Sequence, residues 1–148
     1  NMDGKALSKQ QLSDLLWAAN GINRPDGKRT APTAMNKQEI SLYAVLPDGA
    51  YRYEPATHRL VEVAAEKSRL DNNASVVIVL VADRDKQPGE KWAAVDCGFV
   101  GQNIYLYCAA NNLATVFKGS FNADNLKKLL KLEKNQVPMF IQPVGFPK

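Results

Sequence analysis

The sequence predicts a single α+β domain, and three observations carry that expectation. Helical and extended segments are mixed without strict alternation. A continuous valine-rich run, 74–83, has the length and composition of a strand buried on both faces. A long apolar segment, 92–111, has helical length and needs cover on more than one side. The 148 residues suit one domain and can enclose a sizeable core. With 45% hydrophobic and 23% charged residues the chain is ordinary globular material, which excludes collagen-like, disordered and coiled-coil classes. No stretch reaches the ~18 uninterrupted apolar residues of a membrane span.

The elements follow in chain order. Residues 8–20 read as a helix: Ser8 and Gln11 have capping-box spacing, and Leu12, Leu15, Leu16 and Ala19 form an apolar stripe. Gly21 stands where a left-handed C-terminal cap is common. Residues 21–38 are a polar loop. Residues 40–46 and 50–54 flank the turn signal Pro47-Asp48-Gly49 and read as a hairpin, with a short third strand at 60–63. Residues 66–73 are charged and loop-like. After the buried strand comes a loop with Pro88-Gly89, then the long helix, interrupted by Gly98 and Gly101. Each of these costs ~1 kcal/mol relative to Ala, so a helix or ligand is expected to approach closely there. Residues 113–117 suit a strand, Asn122 can cap a helix over 123–132, and 137–146, with Pro138 and Pro143, suits an edge strand or one crossing to a partner.

Charge and cysteines exclude several functions. The net charge of +4 is spread thinly. Lys127, Lys128, Lys131 and Lys134 read as a solvated helix face, because no aromatics interleave with them, and no nucleic-acid partner is expected. Cys97 and Cys108 are eleven residues apart in one helix, hence ~16 Å apart along its axis. That is beyond the ~7 Å a disulfide tolerates, so they read as small buried hydrophobes. A single histidine, His58, and the lack of CxxC argue against zinc. No GxGxxG, GxxxxGKS, GxSxG or HExxH motif is present. Trp17, Trp92, Tyr105 and Tyr107 read as core or dimer packing, and His58 as exposed.

The segment from Arg29 to Glu39 concentrates two cations, two threonine hydroxyls and several amides around Pro32. Such a loop can offer N–H groups, hydroxyls and a guanidinium to an anionic ligand, although a solvated turn is the commoner fate of such residues. Ala31-Pro32-Thr33-Ala34-Met35-Asn36-Lys37-Gln38 resembles the Ala-Pro-Ser/Thr-Ala-x-Asn-x-Gln loop of the nitroreductase family of flavoenzymes. Residues 12–19 resemble the helix before that loop, and 98–106 the family's central dimer helix. Residues 113–116 with Gly119 resemble the segment beside the flavin ring, and 144–148 the terminal Gly-x-Pro strand. The similarity covers nearly the whole chain and is nearest to short members related to azoline-oxidising dehydrogenases.

The resemblance implies a three-layer fold, a mostly antiparallel sheet flanked by helices, assembled as an intertwined homodimer. It implies FMN as cofactor, NAD(P)H as donor, and a small organic acceptor such as a nitroaromatic, quinone or enone. Pro32, Thr33, Ala34 and Asn36 would touch flavin held by the other subunit, with Arg29 as a phosphate or ring-edge cation. Val116, Lys118 and Gly119 would lie by the flavin N5, Arg69 by its N1/O2 edge, and Lys148 near the phosphate. No side chain is needed as acid or nucleophile, because the flavin carries the chemistry. The family's opening Arg-x-Ser phosphate grip has no counterpart before the first helix, so the domain is expected to lack that segment. The alternative expectation is a non-catalytic dimeric module with weakened or lost flavin binding. A cytoplasmic location is expected, or a periplasmic or secreted one if an upstream signal was removed.

Overall fold

The computed structural model describes residues 1–66 and 70–148. Its organising element is the strand β4, Val76–Asp83, in which seven consecutive residues are buried. Even-numbered members (Val76, Ile78, Leu80, Ala82) enter one core cluster, odd-numbered ones (Val77, Val79, Val81) the other. This is the two-residue period of a strand covered on both faces. Fully burying each Val, Ile or Leu is worth about 1.5–3 kcal/mol, so this strand anchors the domain.

On one side of β4 lies β1, Ile40–Leu46, followed through the two-residue turn Pro47-Asp48 by β2, Gly49–Glu54, and then β3, Arg59–Ala64. On the other side lies β6, Gln136–Gly145, and beyond it the two-residue β5, Ala114–Thr115. Among the described residues the strands form one six-stranded sheet in the order β3-β2-β1-β4-β6-β5, with every pairing antiparallel.

One face of the sheet carries α1, Lys9–Asn20, and α2, Glu90–Ala110; the other carries α3, Ala123–Leu129. The result is the expected three-layer α+β arrangement. The capping box of α1 is complete: Ser8 Oγ accepts from Gln11 N–H, and Gln11 Oε1 accepts from Ser8 N–H. The Asn122 side chain caps α3 by accepting from Asn125 N–H. The α2 helix buries Ala93, Asp96, Cys97, Val100, Gly101, Ile104 and Cys108, a stripe at helical spacing. Burial pushes both thiols up, Cys108 to about 12, and neither cysteine forms a disulfide.

Four expectations change. Gly21 is extended (φ −74°), not left-handed; a Cβ there would stand 2.6 Å from the Trp17 carbonyl oxygen, so close packing requires the glycine. The strand β6 is internal, not an edge. It tolerates Pro143 because that residue's carbonyl faces β5, where Thr115 Oγ1 donates to it, so the missing N–H interrupts no bond to β4. A close approach at the two helix glycines holds for Gly101, where a Cβ would meet the Phe117 ring at 2.6 Å; Gly98 faces open space within the chain. And α3 ends at Leu129 rather than 132, with Lys131 in the left-handed region. His58 is exposed, as expected, but both ring nitrogens are engaged, with Ser13 Oγ at 2.7 Å and Tyr53 Oη at 2.8 Å.

The reading of Gly21 is testable. A left-handed cap would tolerate Asn, whereas close packing against Trp17 rejects any Cβ. Gly21→Ala and Gly21→Asn should therefore both lose about 1–3 kcal/mol in urea unfolding, the range for overpacking; a neutral Asn variant would restore the capping explanation.

Candidate functional site

The candidate loop is held at both ends by backbone bonding. Thr30 N–H donates to the Gly21 carbonyl at 3.0 Å, and Ile22 bridges Arg29, closing the excursion over 22–29. At the far end the chain enters β1 at Ile40, whose carbonyl accepts from Asn20 Nδ2 at 3.3 Å. Between these anchors runs a single 3₁₀ turn, Ala34–Asn36, in which Met35 and Asn36 have φ of 52°. Left-handed backbone at non-glycine residues carries strain and persists only where neighbours over-determine it.

Those neighbours are present. Thr33 Oγ1 accepts from Gln38 N–H at 2.9 Å, and the Thr33 carbonyl accepts from Asn36 N–H at 3.0 Å. Gln38 Nε2 donates to Asn36 Oδ1 at 2.9 Å. From the helix layer, Asp96 Oδ1 accepts the Ala34 N–H at 3.0 Å. The turn is thus fixed with its apolar tip outward: Met35 is 81% exposed.

Arg29, Pro32, Thr33 and Asn36 line one cavity of about 300 Å³, shared with Arg24, Lys28, Thr30 and Gln38. No carboxylate among the described residues lines it, although Lys28 Nζ lies 3.7 Å from the Asp26 carboxylate. Within it the Thr30 hydroxyl and Gln38 Oε1 are buried without partners. Arg29 has no carboxylate partner among the described residues, and its burial lowers its pKa. Arg29 also faces a second cavity of about 220 Å³ with Tyr53, Arg52 and Lys86. Burial pushes the Tyr53 hydroxyl up to about 12 against the opposing charge of Arg29. Ala34 does not line the cavity; its N–H turns inward to Asp96.

The remaining expected site residues lie elsewhere. Lys118 pairs through its backbone with Ile141 and lines a separate cavity of about 370 Å³ beside Phe121 and Asn122. Val116 is exposed, and Gly119 stands near the Phe140 ring. This segment is tied to α2 at Tyr105, whose Oη accepts the Phe117 N–H at 2.7 Å. Asp96 and Tyr105 are nine residues apart on the helix, roughly 13 Å along its axis at about 1.5 Å per residue. The loop meets α2 at Asp96, and the 116–119 segment meets it from Gly101 to Tyr105, about 7–13 Å further along the axis. Lys148 lies at the paired termini, its N–H donating to the Asn1 carbonyl. Arg69 falls outside the described residues.

The sequence reading gave no role to Glu39, the last residue of the highlighted segment, and passed over Asp96. Glu39 and Asp96 are 1% and 0% exposed, and their carboxyl groups meet behind the loop. The signal was available: Asp96 is the one charge after Lys91 in an otherwise uncharged helix, and it falls on the stripe between Ala93 and Val100.

Comparison with known proteins gives a consistent result. The sequence profile described as the nitroreductase family matches residues 1–146. A Methanocaldococcus jannaschii protein assigned as a nitroreductase is 26% identical over 162 residues, covering 94% of this chain and 81% of its own length. A crystal structure from Ralstonia eutropha JMP134, likewise assigned as a nitroreductase, is 33% identical, with a TM-score of 0.93 over 100% of this chain and 77% of that one. The Escherichia coli microcin synthetase McbBCD complex matches at 17% identity and a TM-score of 0.83, covering 97% and 65%, and shares the fold alone.

The bond from Gln38 N–H to Thr33 Oγ1 predicts that Thr33→Ala lowers stability by about 0.5–1.5 kcal/mol and speeds proteolysis within 32–38, while Thr33→Ser restores both. Equal behaviour of the two variants would show that the hydroxyl does not hold the turn.

Proposed function

The chain belongs to the nitroreductase family, and is thereby an oxidoreductase; we propose that it is an FMN-dependent enzyme passing electrons from NAD(P)H to a small organic acceptor. The observation that carries this reading is the pre-fixed loop over 32–36 beside a cavity lined by Arg24, Lys28 and Arg29 without an acidic residue. Its unpartnered Thr30 hydroxyl can donate to an anionic group, while the unpartnered Gln38 Oε1 can only accept, as from an N–H of a ligand ring edge. FMN, with its phosphate and a ring edge that both donates and accepts, fits that set of groups.

When bound, the flavin would supply the redox chemistry, taking a hydride from the nicotinamide and passing electrons on to the acceptor. The chain's own residues would bind and orient. Arg29, half-buried and lacking a carboxylate partner among the described residues, offers a desolvated positive charge to a phosphate or to the electron-rich ring edge. Thr33 and Asn36, held by Gln38, offer polar atoms at fixed positions, so little ordering entropy is lost on binding. Met35 at the tip would cover an apolar ring face. Val116, Lys118 and Gly119 would supply the N5 side, Lys148 the phosphate side and Arg69 the N1/O2 edge.

The family resemblance implies one flavin enclosed by the loop of one copy and the 116–119 segment of another. The outer face of α2 supports a homodimer. Trp92, Val95, Phe99 and Leu106 recur at three-, four- and seven-residue intervals, and all four are exposed. A stripe of this kind with open Gly98 beside it suits a second helix.

Purified protein titrated with FMN should quench flavin fluorescence with a 1:1 stoichiometry per chain and turn yellow. Arg29→Ala should weaken that binding about tenfold or more. The loaded protein should oxidise NADH or NADPH in the presence of a quinone or nitroaromatic. Protein that stays colourless under saturating FMN would instead support the non-catalytic ligand-binding module. Sedimentation equilibrium should give a dimer that Phe99→Glu dissociates; a monomeric native chain would break the shared-site reading.

A further inference from the structure

Two carboxyl groups meet in the core directly behind the loop. Glu39 opens onto β1 and Asp96 lies on the buried stripe of α2, and neither side chain reaches solvent. Asp96 Oδ1 accepts the Ala34 N–H, but Asp96 Oδ2 and both Glu39 oxygens lack a donor if the two groups are ionised. Two carboxylates can only accept, so a hydrogen bond between them requires a proton on one. Two like charges in contact away from water cannot both persist at neutral pH. Asp96 already accepts the Ala34 N–H, and burial raises the Glu39 carboxyl, so the proton is placed on Glu39.

We propose that a protonated Glu39 carboxyl donates to Asp96 and that this pair positions the 32–36 loop, Asp96 accepting the Ala34 N–H and Glu39 holding Asp96. Asp96 is a positioning residue: it acts on a ligand only through the loop. The proposal rests on the reading of that loop as a ligand contact, and its consequence is that ligand affinity follows the protonation of a buried pair.

Burial, then the hydrogen bond to and charge of Asp96, raise the Glu39 carboxyl to about 7. The charged groups around it are few. Lys86 faces it from the loop before α2 and opposes the shift, and Cys97 lies beside the pair on α2 with its thiol pushed up by burial and by both acids. From β4, Asp83 meets Glu39 through its backbone, its N–H donating to the Glu39 carbonyl at 2.9 Å. From α1, the buried neighbour is the neutral Asn20, bonded to the Ile40 carbonyl.

The sign follows from the raised value. Between about 4.5 and 7 the unfolded chain ionises residue 39 while the folded chain keeps its proton, so stability falls as pH rises across that window. Above about 7 Glu39 loses its proton and can no longer donate to Asp96, so the proposed hold on the Ala34 contact is lost. Glu39→Gln mimics the protonated state at every pH, since its amide donates to Asp96 Oδ2.

The experiment has three readouts on the whole protein. Infrared difference spectra should show a protonated carboxyl band in the wild type at pH 6 that is lost on raising the pH through 7 and is absent from Glu39→Gln. In the chain without added flavin, hydrogen exchange of the Ala34 amide, corrected for intrinsic base catalysis, should accelerate above pH 7 in the wild type and stay flat in Glu39→Gln. FMN affinity should weaken above pH 7, by up to tenfold per pH unit if only the protonated pair binds, and be pH-independent in Glu39→Gln. Asp96→Asn, the isosteric second variant, should also lose the pH step and protect Ala34 less, because an amide oxygen accepts more weakly than a carboxylate. Absence of the carboxyl band at pH 6, or identical Ala34 exchange profiles in the wild type and Glu39→Gln, would overturn the pair. If FMN fails to bind but the band and the exchange step appear, the pair stands and the flavin reading falls.

Discussion

The structure depends on burying one strand on both faces. With seven consecutive buried residues, β4 can exist only if strands pair along both edges and layers cover both sides. The hairpin strand β1 closes one edge and β6 the other, which draws the C-terminal segment into the middle of the sheet rather than leaving it at the rim. The alternation along β4 then sorts the helices: Ile78 and Leu80 are in the cluster with α1 and α2, while Val77, Val79 and Val81 share one with α3.

The helix layer carries a cost that the site converts into order. Pressing α2 onto the sheet places Asp96 in the core, where an unpaired charge would be severely unfavourable. One partner is a backbone amide of the loop and, in the proposed pairing, the other is the Glu39 carboxyl, so satisfying the buried acid and fixing the loop are linked. The strained turn at Met35 and Asn36 is tolerable for the same reason: the bonds from Thr33, Gln38 and Asp96 leave it no relaxed alternative. A loop organised before a ligand arrives loses little entropy on binding, which is what a cofactor platform needs.

The same helix faces two ways. Its inner stripe, Ala93 through Cys108, is dry, while its outer stripe from Trp92 to Leu106 exposes large apolar side chains that a single copy leaves uncovered. The loop meets α2 near its start and the 116–119 segment meets it further on. In the proposed enzyme these two facts have one explanation, a second copy lying on the outer stripe and bringing its own loop to the far station.

Much was legible in the residues. Local signals with a short physical range decided the elements: the Ser8–Gln11 capping box, the Pro47-Asp48 turn, the valine run and the Asn122 cap all appear where their chemistry demands. The loop from Arg29 to Glu39 was legible as a candidate because its residue types are concentrated in eleven positions. What local pattern could not decide was whatever depends on residues distant in sequence. Gly21 is required by a carbonyl four residues back in a packed geometry, not by its own backbone angle. Pro143 sits in an internal strand because its backbone happens to face the short β5. Glu39 and Asp96, 57 positions apart, come together only when β1 and α2 stack, and burial there, with Asp96 beside it, pushes the Glu39 carboxyl up. The sequence by itself determined the elements, their order, the two-faced core strand and the loop; tertiary structure alone decided which buried acids meet, because proximity and desolvation are properties of the packed chain.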